Sequence, residues 1–499
     1  FAPPAPLAPL LPPCLASCQT LPPVESGPVE VCASSIVVIR PSIAASLQIS
    51  LLNPLRKLDA MSEAEAGTKT EEQAKPAAAA AAPAAAEEAA AAPPVKEMRA
   101  VVLTGFGGLK TVKILKKPEP AAAEGELLVR VKACGLNFLD LMVRQGAIDN
   151  LPKTPFIMGF ECSGEVEAVG EGVTDFKVVG DRVAAFAEYK AWAELVTVPA
   201  KHAYVLPSSM TFDDAAAVLM NYVVAYSLLF DIGNLREKQT VLVHSVGGGV
   251  GHAVAQLCKT VPEVTLIGTA SKSKHDALTN LVTHLLDHSS DYAQEVTKIS
   301  PDGVDLVLDC LCGEDCKKGY GLLKPLGRYI LYGTSCIVAG ETKSFFSFAK
   351  SWWQVDKVSP IKLYDESKVI AGFNLRHLLY QQGMHDYVKG VVAKVFDLFE
   401  KKKIQPVVDS SWAFEDVAEA MQKMHDHKNI GKLTLNPSLE PKPKPQPEKV
   451  GTPDAHPRRF SFKSKGKDKD GKATVPSGES TDTEKDAKEE QSPPASGCR

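Results

Sequence analysis

Val241-Leu242-Val243-His244-Ser245-Val246-Gly247-Gly248-Gly249-Val250-Gly251 is the stretch on which the fold turns. Thr240–His244 is apolar and β-rich, a short buried strand. Gly247–Gly251 reads as a turn, and Val250–Lys259 continues as an apolar helix. A dinucleotide site needs this order, because its pyrophosphate must reach bare backbone at a helix N-terminus. Gly248 permits that approach, and Gly251 lets the helix pack on the sheet. The first glycine of the GxGxxG pattern is missing, with Val246 in its place. A tight structural turn is the competing reading.

Downstream, strands are expected at Val264–Thr269, Thr283–Leu286, Asp305–Cys310 and Arg328–Tyr332, with a helix at His275–Thr279. Strand and helix alternating at this spacing indicate an α/β fold built on a doubly wound parallel sheet. Upstream, Arg99–Leu103, Glu126–Ala133, Glu165–Val169, Arg182–Phe186 and Glu194–Val198 are short strands between Gly, Asp and Pro turns, the pattern of a compact, irregular β-barrel. A short helix is expected at Asn137–Arg144, and two more at Ser208–Asn221 and Val223–Ile232. After Phe373 the pattern returns to mixed α/β, with helices at Tyr387–Glu400 and Phe414–His425 and strands at Val407–Asp409 and Lys432–Leu435.

The end of the strand after the glycine turn indicates the cofactor. An NAD site wants an acid there for the ribose 2′-hydroxyl. The chain instead has Thr269-Ala270-Ser271-Lys272-Ser273-Lys274, with no acid before Asp276. Hydroxyls and lysines suit a 2′-phosphate, so NADPH is expected, held by Gly247, Gly248, Gly249, Val250, Gly251, Ser271, Lys272 and Lys274. Ordinary solvated lysines are the alternative.

Composition bounds the rest. Of the 499 residues, 62–97 are mostly Ala, Glu, Lys and Pro, and from about Asn436 polar residues and Pro take over. Such stretches cannot offset chain entropy by apolar burial, so disordered N- and C-terminal tails are expected over 1–96 and 437–499. Residues 1–60 read as a reading-frame extension ahead of Met61, with a targeting segment at Ser34–Leu52 as the alternative. No other stretch is expected to span a membrane. The formal net charge of -4 gives no reason to expect nucleic acid as a partner. The eleven cysteines lack regular spacing and read as reduced cytoplasmic thiols. Cys310, Cys312 and Cys316 lack the partners of a zinc finger.

Several motifs occur in order: Ala133-Cys134-Gly135-Leu136-Asn137-Phe138, Gly159-Phe160-Glu161-Cys162-Ser163-Gly164, Gly170–Val173, Gly180-Asp181-Arg182-Val183, the glycine turn and Asn429-Ile430-Gly431-Lys432. Over about residues 97–436 the chain resembles the medium-chain dehydrogenase/reductase superfamily, in its quinone oxidoreductase (zeta-crystallin-like) branch. The resemblance implies a GroES-like, partly open β-barrel catalytic domain (97–222 and 374–436) with a Rossmann NADPH-binding domain (223–373) inserted. It also implies a homodimer and a small-molecule substrate, a quinone or an α,β-unsaturated carbonyl. Asn137 is the implied catalytic residue, a donor to a substrate oxygen. Gly333, Phe373 and Asn374 would flank the nicotinamide, and Lys432 would close the cofactor site.

Zinc-dependent relatives carry metal ligands where this chain has Asn137, Phe160 and Asn221. Phe cannot ligate and an amide is a poor ligand for zinc, so no metal is expected. Against turnover, Met142 and Ile148 stand where quinone reductases commonly carry tyrosines, and Val224 where a threonine is frequent. The alternative is therefore a nucleotide-binding, catalytically weak adaptor acting at vesicle membranes or with protein partners. The aromatic stretch Ser344–Trp353 fits peripheral membrane contact or, as the plainer reading, a packed helix. Arg458-Arg459-Phe460-Ser461 matches a basic-directed phosphorylation site.

Overall fold

Val241, Leu242 and Val243 have no exposed surface, each contributing about 1.5–3 kcal/mol by burial. They belong to the strand Thr240–Val243 in the middle of a six-stranded sheet. Across that sheet the strands run His284–Asp287, Thr265–Ala270, Thr240–Val243, Val304–Asp309, Leu323–Leu331 and Val369–Gly372, all parallel. By chain order within the sheet this is 3-2-1-4-5-6, a Rossmann arrangement. Its direction reverses between Thr240–Val243 and Val304–Asp309, and beyond the C-terminal ends of those two strands lies the crevice where such folds take ligands.

The computed structural model describes residues 96–176, 179–338 and 359–443. Expectations for the leader up to residue 95, for Ser344–Trp353, and for the tail from 444, including Arg458–Ser461, lie outside the described residues. The described residues belong to one compact unit, Ala92–Arg499.

The second large sheet is mostly antiparallel, ordered Val408–Trp412, Lys432–Leu435, Glu126–Leu136, Glu161–Val169, Arg182–Phe186 and Ala203–Val205, with Leu195–Pro199 also on Glu126–Leu136. Its closing strands come from the far end of the chain, after the parallel sheet is complete. A small sheet of Val112–Pro118, Glu97–Leu103 and Phe156–Ile157 flanks it. This is a GroES-like sheet joined to a Rossmann sheet. Two residues beyond Asn436 touch it: Arg99 donates to the Pro437 carbonyl at 2.5 Å, and Lys442 stands 3.6 Å above the Trp412 ring, while residues 438–443 are exposed.

One long helix joins the two sheets. Thr211 caps Phe212–Tyr226, its hydroxyl accepting from Asp214 N–H at 3.1 Å, and the helix continues as a π-turn through Ser227–Ile232. The sequence suggested two helices here. Asn221 does not break the helix, because its amide bonds back to the Ala217 carbonyl at 3.2 Å. Undivided, Phe212–Ile232 is long and apolar enough to cross a membrane, which corrects the expectation of no such stretch after Leu52. Most of its apolar 18-residue window, 72%, is nevertheless buried inside the protein, as befits a core helix.

Candidate cofactor and active site

Ser245 takes a left-handed φ of +56°, which turns the chain sharply out of the strand Thr240–Val243. Val246 N–H then bonds Thr269 O at 3.0 Å and Gly248 N–H bonds Ser245 O at 2.9 Å. Gly248 is the N-cap of the helix Gly249–Cys258, no side chain caps it, and its first turn holds no acid. The amides of Gly249, Val250 and Gly251 have no intrahelical acceptor, and the helix dipole adds positive potential there. The cradle is tight: a Cβ on Gly249 would lie 2.3 Å from Asn221 Nδ2, and one on Gly251 would lie 2.5 Å from Ser245 O. A Cβ on Gly248 would meet only Ser245 O, at 3.3 Å. The sequence assigned close approach to Gly248 and helix–sheet packing to Gly251; the backbone that Gly251 abuts is that of the turn residues Ser245 and Val246. These residues fit a dinucleotide pyrophosphate.

Asn429–Lys432 docks on this turn. Gly431 N–H donates to Gly247 O at 2.9 Å, and Gly248 and Gly431 form a β-bridge. Lys274 Nζ reaches the Asn429 carbonyl at 2.7 Å, and burial lowers its pKa. Ser271 is half-buried beyond the strand Thr265–Ala270, while Lys272 is exposed with no carboxylate in salt-bridge range among the described residues. Of the two lysines expected near a 2′-phosphate, Lys272 is the uncommitted one.

Beneath the turn lies a buried polar cluster. Lys432 Nζ is 2.6 Å from Asn137 Oδ1 and 2.5 Å from Glu161 Oε1. Asn137 Nδ2 donates to the same Glu161 oxygen at 2.8 Å, and the other oxygen accepts Met220 N–H at 2.8 Å. Glu161 and Lys432 are 0% and 2% exposed, so each charge depends on the other. Asn137, 8% exposed, caps the helix Phe138–Gln145, and its main-chain N–H donates to Asp140 at 2.8 Å. Burial pushes the Asp140 carboxyl up to about 8, against the opposing Asn137 hydrogen bond. Glu161 and Asp140 are the functional candidates that sequence reasoning missed.

At the crevice rim, Gly333 follows the strand Leu323–Leu331, where a Cβ would lie 3.1 Å from Cys310 Cα. Phe373 N–H bonds Leu331 O at 2.9 Å, and Asn374 Oδ1 accepts His377 N–H at 3.2 Å. All three lie at the C-terminal edge of the parallel sheet.

The residues present do not fit zinc. Asn137 Oδ1 and Glu161 Oε1 already face an ammonium, so a metal ion there would meet a cation. Phe160 packs against Tyr189 with ring centroids 5.0 Å apart, and Asn221 is bonded within its own helix. Among the described residues no group of three or more His, Cys, Asp or Glu side chains is arranged to hold a metal.

Two family models match the chain: the alcohol dehydrogenase GroES-like domain over 123–208 and zinc-binding dehydrogenase over 282–435. Synaptic vesicle membrane protein VAT-1 homolog-like from Mus musculus is 60% identical over 360 residues, 72% of this chain and 86% of that protein. The crystal structure of the human VAT-1 homolog-like protein is 55% identical with a TM-score of 0.62, covering 69% of this chain and 99% of that one. Two mycobacterial structures are each 28% identical over 68% of this chain and all of theirs. One is complexed with NADPH (TM-score 0.60), and the other is a quinone oxidoreductase (TM-score 0.58).

Proposed function

The chain belongs to the VAT-1 homolog family of the medium-chain dehydrogenase/reductases, an oxidoreductase superfamily, and on that premise we propose that it is a zinc-independent, NADPH-dependent reductase of a quinone or an α,β-unsaturated carbonyl. The observation that carries this reading is the uncapped N-terminus of Gly249–Cys258, with bare glycines, no acid in its first turn and Lys274 beside Gly247. Gly247–Gly251 hold the pyrophosphate on main-chain amides, and Ser271, Lys272 and Lys274 meet the 2′-phosphate. Gly333, Phe373 and Asn374 line the nicotinamide side of the crevice.

Bound NADPH supplies the hydride, and a quinone is electrophilic enough to accept it without a metal. Asn137 spends one Nδ2 hydrogen on Glu161 and keeps the second for a substrate oxygen. Lys432 and Glu161 fix the orientation of that amide and leave it little freedom to lose. Solvent supplies the proton that completes the product.

A homodimer is part of the proposal. Val369–Gly372 is the last strand of the parallel sheet, and Ile361 and Tyr364 beside it are 71% and 84% exposed. Cytoplasmic residence is proposed because all seven described cysteines are thiols.

The adaptor reading is favoured by a different observation. Both polar atoms of Asn137 are already engaged inside the protein, and the side chain is nearly buried. Titrating NADPH into the full chain and then adding a simple quinone separates the two. Binding with nicotinamide oxidation supports the reductase, binding without it supports the adaptor, and no binding sinks both.

A further inference from the structure

Asp309 ends its strand at the point where the sheet reverses direction, and it is fully buried. Its carboxylate accepts Leu311 N–H at 2.6 Å and Cys312 N–H at 3.2 Å, and the Tyr329 hydroxyl donates to its second oxygen. The turn so pinned puts Cys312 at a left-handed φ of +67°. Gly313 then caps the helix Glu314–Gly321, which carries Cys316. The two sulfurs lie 3.8 Å apart, with the Cys316 thiol in donor range of both Cys312 Sγ and, at 3.7 Å, Asp309 Oδ2. Cys336 comes alongside from the loop after Gly333, tied by its N–H to Leu311 O at 3.1 Å.

We propose that Cys312 and Cys316 form a redox-active dithiol that a peroxide oxidises to an intramolecular disulfide. The site borders the same crevice, since a Cβ on Gly333 would lie 3.1 Å from Cys310, but its chemistry does not require the cofactor. Hydrogen bonds from Cys316, then Cys336, and from the Gly313 backbone hold the Cys312 thiol well below the ordinary thiol range. The same sharing pushes Cys316 up, because it gives the hydrogen. Cys312 is therefore the nucleophile and Cys316 the resolving thiol. Cys316 also lines a cavity of about 760 Å³ whose wall includes Lys317, Lys362 and Lys368, which brings a small oxidant to within one sulfur–sulfur distance of the buried Cys312. Cys134, Cys162 and Cys258 have no such setting: burial pushes each upward and keeps it inert.

The atoms balance. The Cys312 thiolate attacks one peroxide oxygen, the O–O bond breaks, and the departing oxide takes a proton to leave as water or alcohol. Cys312 is now a sulfenic acid. The Cys316 sulfur attacks it, the S–S bond forms, the S–O bond breaks, and hydroxide leaves with the Cys316 proton as water. Two thiols and one peroxide give one disulfide, one alcohol or water, and one further water. Disulfide formation must close the sulfur–sulfur distance from 3.8 Å to about 2.0 Å.

The test treats the full chain with equimolar hydrogen peroxide, alkylates the remaining thiols without reduction, and digests with trypsin. Peptide 299–317 contains Cys310, Cys312 and Cys316. The proposal expects it to lose two hydrogens and carry a single alkyl group, on Cys310. Cys316→Ser should stop at a Cys312 sulfenic acid, captured by dimedone, and Cys312→Ser should abolish both products. Iodoacetamide at pH 6 should modify Cys312 about tenfold faster than Cys258. Three alkyl groups on the peptide, oxidation of Cys316 surviving in Cys312→Ser, or a Cys312–Cys336 link would each overturn the assignment.

Discussion

Replacing Gly248 by valine should separate nucleotide binding from folding. Gly248 has φ -79° and ψ 172°, extended backbone that a β-branched residue adopts readily. The new Cβ would meet only Ser245 O, at 3.3 Å, so the turn need yield by only a few tenths of an ångström. The lower chain entropy of the unfolded valine protein offsets part of that strain. The methyls, however, would stand over the uncapped amides where a phosphate must sit. Losing one charge-assisted hydrogen bond costs about 1.5–3 kcal/mol, which is roughly a 10- to 150-fold rise in the NADPH Kd. Gly251→Val makes the opposite experiment. Its Cβ would lie 2.5 Å from Ser245 O and 2.6 Å from Val246 Cα, backbone atoms that cannot swing aside. The helix must lift, at about 1–3 kcal/mol, and Tm falls by several degrees before any ligand is added. Calorimetric titration and thermal melts on both variants read the two effects. A Gly248→Val protein with wild-type NADPH affinity would refute the placement of the pyrophosphate, and an unchanged melt for Gly251→Val would refute the packing argument.

Lys432→Met should destabilise the protein by about 3–5 kcal/mol, because it leaves the buried Glu161 carboxylate uncompensated, whereas Lys432→Met with Glu161→Gln should recover most of that loss in urea melts. Lys272→Ala should weaken NADPH about tenfold and leave NADH unchanged in fluorescence titrations; equal losses for both would count against a 2′-phosphate contact. His202, 3.0 Å from His385 across Nε2···Nδ1, is held down to about 4 by burial and then by the His385 charge. Its neutral form is the folded one, so its stabilising effect is complete above pH 6.5 and fades as pH falls towards 4. Discounting for solvent screening, wild type should lose about 1–2 kcal/mol more than His202→Gln between pH 7 and pH 5, and parallel pH profiles would exclude this linkage. Dialysis against a chelator should leave both stability and any reductase activity unchanged, and one tightly bound zinc per chain by metal analysis would reverse the metal-free reading.

What the sequence made legible was whatever is written locally. The strands Thr240–Val243, Thr265–Ala270 and Val304–Asp309 are short apolar runs because both faces of a parallel sheet are covered. The glycine turn is readable because backbone exposure requires glycine at consecutive positions. Val112–Pro118 escaped notice because three lysines interrupt its apolar positions, and Glu314–Gly321 because its helix is nearly all polar. The buried cluster is a harder case: Asn137 and Glu161 are 24 residues apart, and Lys432 lies 271 residues beyond Glu161, so no sequence window holds all three. Even so, each end leaves a local trace. Glu161 sits between Phe160 and Cys162, and Lys432 opens a strand whose four residues are all buried. A carboxylate at the fully buried start of a strand requires a cation, since an unpaired buried charge costs more than most single contacts return. A lysine in a closing strand requires an acid for the same reason. Within a sheet where Glu126–Leu136 lies between the strands of Glu161 and Lys432, and Asn137 follows directly from it, each demand is met by the other.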